Sequence, residues 1–378
     1  MKATPHGALH LYVHLPFCAH RCGYCDFVTL VGKREGHGTY VDALLAELEL
    51  EGDVLAEGVE TIFVGGGTPT FTEPGELARL LDALPRAAEV TVEANPETVT
   101  PQLASLLHEN GVTRVSLGAQ SFEPRLLAVL ERRAGPDEIR RAFYHLRDAS
   151  FDNISLDLIY GIPGQTSSGL RQDLDQALAL GPEHLSCYEL EAKPGTRFTH
   201  AWGAELAGQE AAMEGYFELV VDTLAAVGYR WYETANFCRK GRQAHHNLGY
   251  WLGRDYLGLG IGAVSTVDGL RWRNAPRLPP YLGALAAGRQ PPRELEELDE
   301  QTRAVERLML GLRLDEPLPL DEFAEVLDLD ALGRLEELGL VARENGSLGL
   351  TRRGRFLGEG VTAELIAEIP AKTLQLNR

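Results

Sequence analysis

Cysteine is scarce in this sequence, with five residues in 378. A disulfide framework would use more of them, spread evenly through a smaller secreted chain, so the scarcity points away from that class. Long apolar runs are missing too. No stretch reaches the roughly 20 apolar residues of a membrane-spanning helix. Residues 1–15 carry only a short apolar run, broken by His10 and His14, and do not read as a signal peptide. Positive charge is in deficit: 36 Lys and Arg stand against 55 Asp and Glu, a net charge of −19. A surface of that sign repels phosphate backbones and argues against nucleic-acid binding. There are no low-complexity tracts or short internal repeats. What remains is 44% apolar, ordinary for a folded protein and long enough for one large domain and a smaller one. A cytoplasmic location is expected, with peripheral contact to a membrane protein left open.

Apolar runs at 9–15, 61–64, 90–93, 114–117, 154–159 and 184–189 read as strands. Amphipathic stretches at 40–55, 76–84, 101–109, 136–149, 170–179 and 209–227 read as helices. The alternation predicts an α/β fold with a parallel sheet. Six units predict a partial (β/α)6 barrel. Polar chemistry gathers where each strand ends. The first leads into Cys18, Cys22 and Cys25, and the second into Gly65-Gly66-Gly67-Thr68-Pro69. The third ends at Glu93 and the fourth at Gln120. The fifth carries Asp157 and runs into Gly161-Ile162-Pro163-Gly164. Ligand sites in such sheets lie at the carboxyl ends of the strands, so these segments are expected at one mouth.

The barrel pattern fades after about Trp231. The expected division is a barrel over 1–235, an extension and linker over 236–295, and a C-terminal unit over 296–378. A Gly-rich stretch follows at 257–262, and Arg289-Gln290-Pro291-Pro292 reads as a linker. The C-terminal unit reads as helices at 299–314, 320–327 and 330–338. Strands at 340–343 and 348–351 then flank Glu344-Asn345-Gly346-Ser347, a hairpin signal. Together these resemble a small winged helix. Leu335-Glu336-Glu337-Leu338 in its would-be recognition helix is acidic, which opposes DNA binding.

Three of the five cysteines, Cys18-x3-Cys22-x2-Cys25, lie within eight residues directly after a strand. Three close thiolates can hold three corners of a [4Fe–4S] cubane and leave one iron open. A zinc site is the other reading, with His14 or His20 as fourth ligand. Tyr24, just before Cys25, can cover the cluster and an adenine. The three glycines at 65–67 alone would indicate a tight turn. Following the second strand, with cysteines after the first, they gain weight.

The whole arrangement resembles the radical S-adenosylmethionine superfamily. Tyr12-Val13-His14-Leu15-Pro16-Phe17-Cys18, Gly118-Ala119-Gln120-Ser121-Phe122 and the segment from Asp157 to Thr166 narrow the likeness. They resemble the oxygen-independent coproporphyrinogen III oxidase-like family, including its HemW branch of heme chaperones, over nearly the full chain. By that resemblance Tyr12, Gly66, Gly67, Thr68, Glu93, Gln120, Arg132 and Asp157 contact S-adenosylmethionine. The residue chemistry agrees: carboxylates accept from hydroxyl and amino groups, and a guanidinium pairs with a carboxylate. The plainer readings are a surface arginine beside Arg133 and a buried carboxylate at Asp157 that caps a turn.

Two features separate the branches of that family. The oxidases it resembles have a further cysteine two residues beyond the third, where this chain has Phe27, and a longer segment before the first strand. His246-Asn247-Leu248-Gly249-Tyr250-Trp251 matches the H-N-x-x-Y-W pattern of the chaperone branch. The resemblance implies heme bound by His246, Asn247, Tyr250 and Trp251, through an imidazole on iron and aromatic rings on the macrocycle. Otherwise the segment is a core patch, and His245 and Cys238 are competing ligands. The leading expectation is a heme chaperone with a [4Fe–4S] cluster and S-adenosylmethionine, passing heme to an acceptor protein. A radical oxidase and a plain iron–sulfur scaffold are the alternatives. A homodimer is left open.

Overall fold

The computed structural model describes residues 7–193 and 197–367. Six parallel strands form its centre: β1 (His10–Leu15), β2 (Thr61–Gly66), β3 (Glu89–Ala94), β4 (Arg114–Gln120), β5 (Ile154–Tyr160) and β6 (His184–Glu189). They pair in sequence order. Helices His37–Glu51, Pro74–Ala83, Pro101–Glu109, Pro136–Asp148 and Ser167–Leu180 supply the crossovers. Local chemistry starts several of them. The Thr100 and Thr166 side chains accept from the Leu103 and Gly169 amides, and proline opens three of the five. Alternate residues of each strand join these helices in one continuous apolar core, with Leu11, Ile62, Val92, Val115 and Leu156 on the sheet side. The opposite face of the strands lines the barrel interior.

The sheet does not stop where the periodic pattern fades. On one edge, β8 (Asn236–Cys238) adds antiparallel to β6, and β7 (Arg230–Trp231) adds antiparallel to β8. On the other, β9 (Tyr256–Leu259) pairs parallel to β1, followed by β10 (Val264–Val267), β11 (Leu270–Asn274) and β12 (Arg293–Glu297). Among the described residues the order is β12-β11-β10-β9-β1-β2-β3-β4-β5-β6-β8-β7. The Gly-rich stretch 257–262 is therefore partly strand. A Cβ on Gly258 would sit 2.2 Å from the Val264 carbonyl oxygen, so glycine there permits close backbone approach. Buried Glu47 fastens helix His37–Glu51 to this added edge. It accepts from Tyr281 Oη (2.7 Å), the Gly260 amide (2.8 Å) and Asn274 Nδ2 (2.6 Å).

The C-terminal unit has its own core of Val305, Leu308, Phe323, Leu332, Leu348 and Leu365. Helices Glu300–Gly311 and Leu329–Glu337 begin at Asp299 and Asp328, whose side chains accept from backbone amides. The hairpin Val341–Glu344 with Ser347–Leu350 turns at Asn345 and Gly346, both with positive φ, as the sequence predicts. The expected helix at 320–327 is a short 3-10 turn, Leu320–Phe323. Two further helices, Arg352–Phe356 and Gly358–Leu365, were not anticipated. This is the small winged-helix-like arrangement expected beside the barrel. No helix among the described residues is long and apolar enough to cross a membrane.

Candidate functional site

Cys18 closes a two-residue strand, Phe17–Cys18, that pairs with Leu30–Val31 just beyond the carboxyl end of β1. Cys22 and Cys25 follow on a loop closed by the Cys25 amide donating to the Cys22 carbonyl (3.2 Å). All three thiols border one cavity of about 350 Å³ at the carboxyl ends of the strands. Tyr24, Gly66, Gly67, Thr68, Glu93, Gln120, Arg132 and Asp157 line it too. So does Asn247, from the helix His245–Trp251. The expected convergence on one mouth is therefore present for these residues.

Tyr12, His246, Tyr250 and Trp251 do not line the cavity. Tyr12 donates or accepts through Oη at His14 Nδ1 (2.9 Å) and stacks on Phe63. His246 lies one layer behind the wall, its ring 5.3 Å from that of Phe63, which does line the cavity. It is 1% exposed, with Nδ1 bonded to Thr61 Oγ1 (2.8 Å) and Nε2 to Tyr250 Oη (2.9 Å). Burial lowers its pKa to about 3, so the ring is neutral. Trp251 faces the C-terminal unit, under the Arg313 guanidinium at 4.4 Å.

A chain of hydrogen bonds fixes the cluster side of the cavity. Arg132 Nη2 donates to Asn95 Oδ1 (2.7 Å) and to the Gly118 carbonyl (2.9 Å). That orients the Asn95 amide so that its Nδ2 donates to Thr68 Oγ1 (2.9 Å). The Thr68 hydroxyl is then free to donate towards Cys18 Sγ, 3.4 Å away. A donor aimed at sulfur stabilises a thiolate. Burial pushes all three thiols up, Cys18 to about 11, with the Arg132 guanidinium offsetting part of this at Cys22. Without metal they are neutral thiols, so ligation must release protons. Among the described residues no three His, Cys, Asp or Glu side chains close on a single-ion site. Three thiols around an open cavity suit a cluster, which spreads its ligands over separate irons.

The far side is carboxylate-rich. Burial raises Glu93 to about 7, with repulsion from Asp157 adding and the Gly66 amide, 3.0 Å from Oε2, offsetting. Burial also raises Asp157, against bonds from serines including Ser116 Oγ at 3.0 Å to both oxygens. Gly66 has φ 111° and lies against the His14 ring, where a Cβ would fall 2.5 Å from ring atoms. Only glycine fits there, with that φ and the ring so close. Gln120 is a non-glycine with φ 67°, at a bulge where Gly118 and Gln120 oppose Asp157 and Leu158. The bulge turns its side chain into the cavity, and such strain costs about 1–3 kcal/mol.

Sequence reasoning placed Asn95, just after Glu93, at this mouth but missed Arg114, Ser116, Ser186 and Tyr188, all of which line the cavity. The signal existed. Positions 114, 116, 118 and 120 on β4 alternate inward, and 186 and 188 do so on β6. Polar residues at period two inside otherwise apolar strands mark a polar interior.

Comparison with known proteins agrees with this geometry. Residues 12–177 match the Radical SAM superfamily, and residues 298–357 match the HemN C-terminal domain. Heme chaperone HemW of Mycobacterium tuberculosis is 38% identical over 379 residues, covering 97% of this chain and 96% of that protein. Heme chaperone HemW of Bacillus subtilis (strain 168) is 34% identical, covering 95% and 99%. This chain belongs to the HemW family. The solved structure of coproporphyrinogen III oxidase (HemN) from Escherichia coli, a radical SAM enzyme, superposes with a TM-score of 0.79 at 24% identity. It covers 96% of this chain and 91% of that one, which shows the shared fold. HemW membership favours the chaperone reading over the oxidase alternative.

Proposed function

We propose that the protein is a heme chaperone that carries a [4Fe–4S] cluster on Cys18, Cys22 and Cys25. In this reading S-adenosylmethionine lies against Tyr12, Gly66, Gly67, Thr68, Glu93, Gln120, Arg132 and Asp157, under Tyr24. Heme is held by His246, Asn247, Tyr250 and Trp251 and passed to an acceptor protein, in the cytoplasm or at a membrane face. The observation that carries it is Asn247, which reaches the wall of the cysteine cavity from the helix that bears His246. The cluster and heme motifs are thereby neighbours. Tyr12 would act from behind the wall, through Phe63. A bound cluster supplies one-electron redox chemistry and an open iron for the amino and carboxylate groups of S-adenosylmethionine. The chain's own part is to hold and shield: Thr68 steadies Cys18, Arg132 offers a cation for a carboxylate, and Glu93 accepts from the amino group. Phe27, 60% exposed on the cavity rim, replaces the further thiol of the oxidases.

The test is a hemin titration of the anaerobically reconstituted protein, with coproporphyrinogen III turnover assayed on the same sample. One heme per chain and no decarboxylated product is the expected result. His246→Ala should weaken heme binding at least about tenfold, the loss of one good ligand contact, with iron and sulfide content unchanged. Equal affinity in that variant would remove His246 from the site, and turnover would make the protein an oxidase.

Glu93 gives a second check. With its pKa near 7, the carboxyl is mostly protonated below that pH and ionised above it. The ionised form is the stronger acceptor for the N–H groups of the amino group. Affinity for S-adenosylmethionine should therefore rise as pH increases through about 7, and Glu93→Gln should flatten the profile. Isothermal titration at stepped pH reads this directly, and an identical slope in the variant would contradict it.

A further inference from the structure

His246 cannot bind iron in the arrangement seen here, because both ring nitrogens are already engaged. Thr61 holds Nδ1, and its own hydroxyl is shared with His10 Nδ1 at 2.8 Å. Tyr250 Oη holds Nε2. Tyr250 lies four residues after His246, on the same face of the same helix. Rigid movement of the helix carries both residues together and leaves that bond intact. Rotation of the tyrosine ring meets Tyr256, edge-on at 4.6 Å. The turn that carries Tyr250 and Trp251 must therefore unwind for Nε2 to come free.

The two ends of this helix are held very differently. At the start, the Glu89 carboxylate accepts from the His245 amide (3.0 Å) and the His246 amide (2.9 Å). That satisfies two of the helix's free donors and places negative charge at its N-terminus. At the far end, polar groups are buried without partners. Trp251 Nε1 and Arg313 Nε have no hydrogen-bond partner, nor does Glu233 Oε2. Glu233 is 0% exposed and its nearest cation, Arg313 Nη2, is 3.9 Å away. Arg313 lies just beyond helix Glu300–Gly311, in the segment whose Leu312 belongs to the C-terminal core. Buried polar groups left unpaired favour any rearrangement that pairs them. Arg313 has such a rearrangement at hand, closing on Glu233 and leaving the indole face.

We propose that helix His245–Trp251 is a latch, closed by the Tyr250 hydroxyl on His246 and held shut from the C-terminal unit by Arg313 on Trp251. Movement of the C-terminal unit withdraws Arg313, loosens the last turn and frees Nε2, while Glu89 keeps the first turn in place. Through Arg313, a docked acceptor protein could govern when His246 takes or yields iron. The inference rests on the reading of His246 as the heme ligand, and its test separates the two.

The experiment has one arm with heme and one without. In the first, hemin association is followed by stopped-flow absorbance for the parent protein, Tyr250→Phe and Arg313→Gln. Tyr250→Phe removes one oxygen and should speed association about fivefold, the equivalent of one ordinary hydrogen bond. Arg313→Gln should speed it to a similar extent. The second arm measures amide exchange in the absence of heme. Arg313→Gln should raise exchange at residues 250–252 several-fold and leave residues 245–246 unchanged. Arg313→Lys, which keeps the charge but loses the flat stack on the indole, should fall between. Unchanged exchange at 250–252, or faster exchange spread evenly over the chain, would overturn the latch whatever His246 binds. Local exchange that responds as expected while neither variant alters hemin association would overturn the link to His246 and leave the heme ligand to be found elsewhere.

Discussion

Cys22→Ala is expected to yield a folded protein with no iron–sulfur absorption and with iron and sulfide near background. The cubane takes one protein thiolate on each of three irons, so losing one ligand leaves two irons exposed to solvent. No neighbour can substitute. His20 Nε2 lies 3.8 Å from Cys22 Sγ, but it is bonded to the Glu131 carbonyl at 2.7 Å. That carbonyl belongs to a residue held at φ 56°, so the loop facing the cysteines is itself constrained. The fold should survive, because Cys22 sits on a half-buried loop outside the apolar core. Thermal stability of the metal-free variant should lie within about 1 kcal/mol of the metal-free parent, as for most substitutions outside a core. Phe27→Ala is the companion. It removes an exposed ring from the cavity rim, and iron and sulfide should stay at the parent level. Full iron and sulfide in Cys22→Ala, or their loss in Phe27→Ala, would contradict the three-cysteine ligand set.

The parallel core was legible because six strands buried on their helix-facing side produce apolar runs, and each crossover helix keeps an amphipathic stripe. The cysteine loop and glycine loop were legible because both follow strand ends, where the topology must bring them together. The added edge from β9 to β12 was not. Its first strand has Gly258 for backbone approach and ends just before Gly260, and its last, Arg-Glu-Leu-Glu-Glu at 293–297, is a solvent-facing edge strand with nothing apolar to bury on most positions. Helix Arg197–Gln209 also escaped notice. It rests on the barrel mainly through Phe198, Trp202 and Leu206, too few apolar positions to set a clear period. The heme segment shows the limit most plainly. The sequence identifies His246, Tyr250 and Trp251 as a group, but only the coordinates show the imidazole turned inward onto Thr61 and Tyr250.

Gly67→Ala should disable the S-adenosylmethionine side of the site and destabilise the barrel together. The Gly67 amide donates to the Leu15 carbonyl and the Thr68 amide to the Phe17 carbonyl, each at 2.8 Å. These bonds lay the glycine loop directly along the chain that leads to Cys18. A Cβ at position 67 would lie 2.6 Å from the carbonyl carbon and oxygen of Pro16 and 2.9 Å from the Phe17 oxygen. All three atoms are backbone, so no side chain can swing aside. The two loops must separate, which stretches both amide bonds and draws the Thr68 hydroxyl away from Cys18 Sγ. Overpacking of this kind costs about 1–3 kcal/mol. The loss in S-adenosylmethionine affinity should be at least about tenfold, because each 1.4 kcal/mol is one decade. Gly75→Ala is the control. Gly75 is in the first turn of helix Pro74–Ala83 with no atom within 4 Å of an added Cβ, and alanine there should be neutral or stabilising by up to about 1 kcal/mol. Urea midpoints and S-adenosylmethionine titrations of the two variants decide the matter. A Gly67→Ala protein with the parent midpoint and parent affinity would mean that the loops tolerate separation and that the glycine cradle does not hold the ligand.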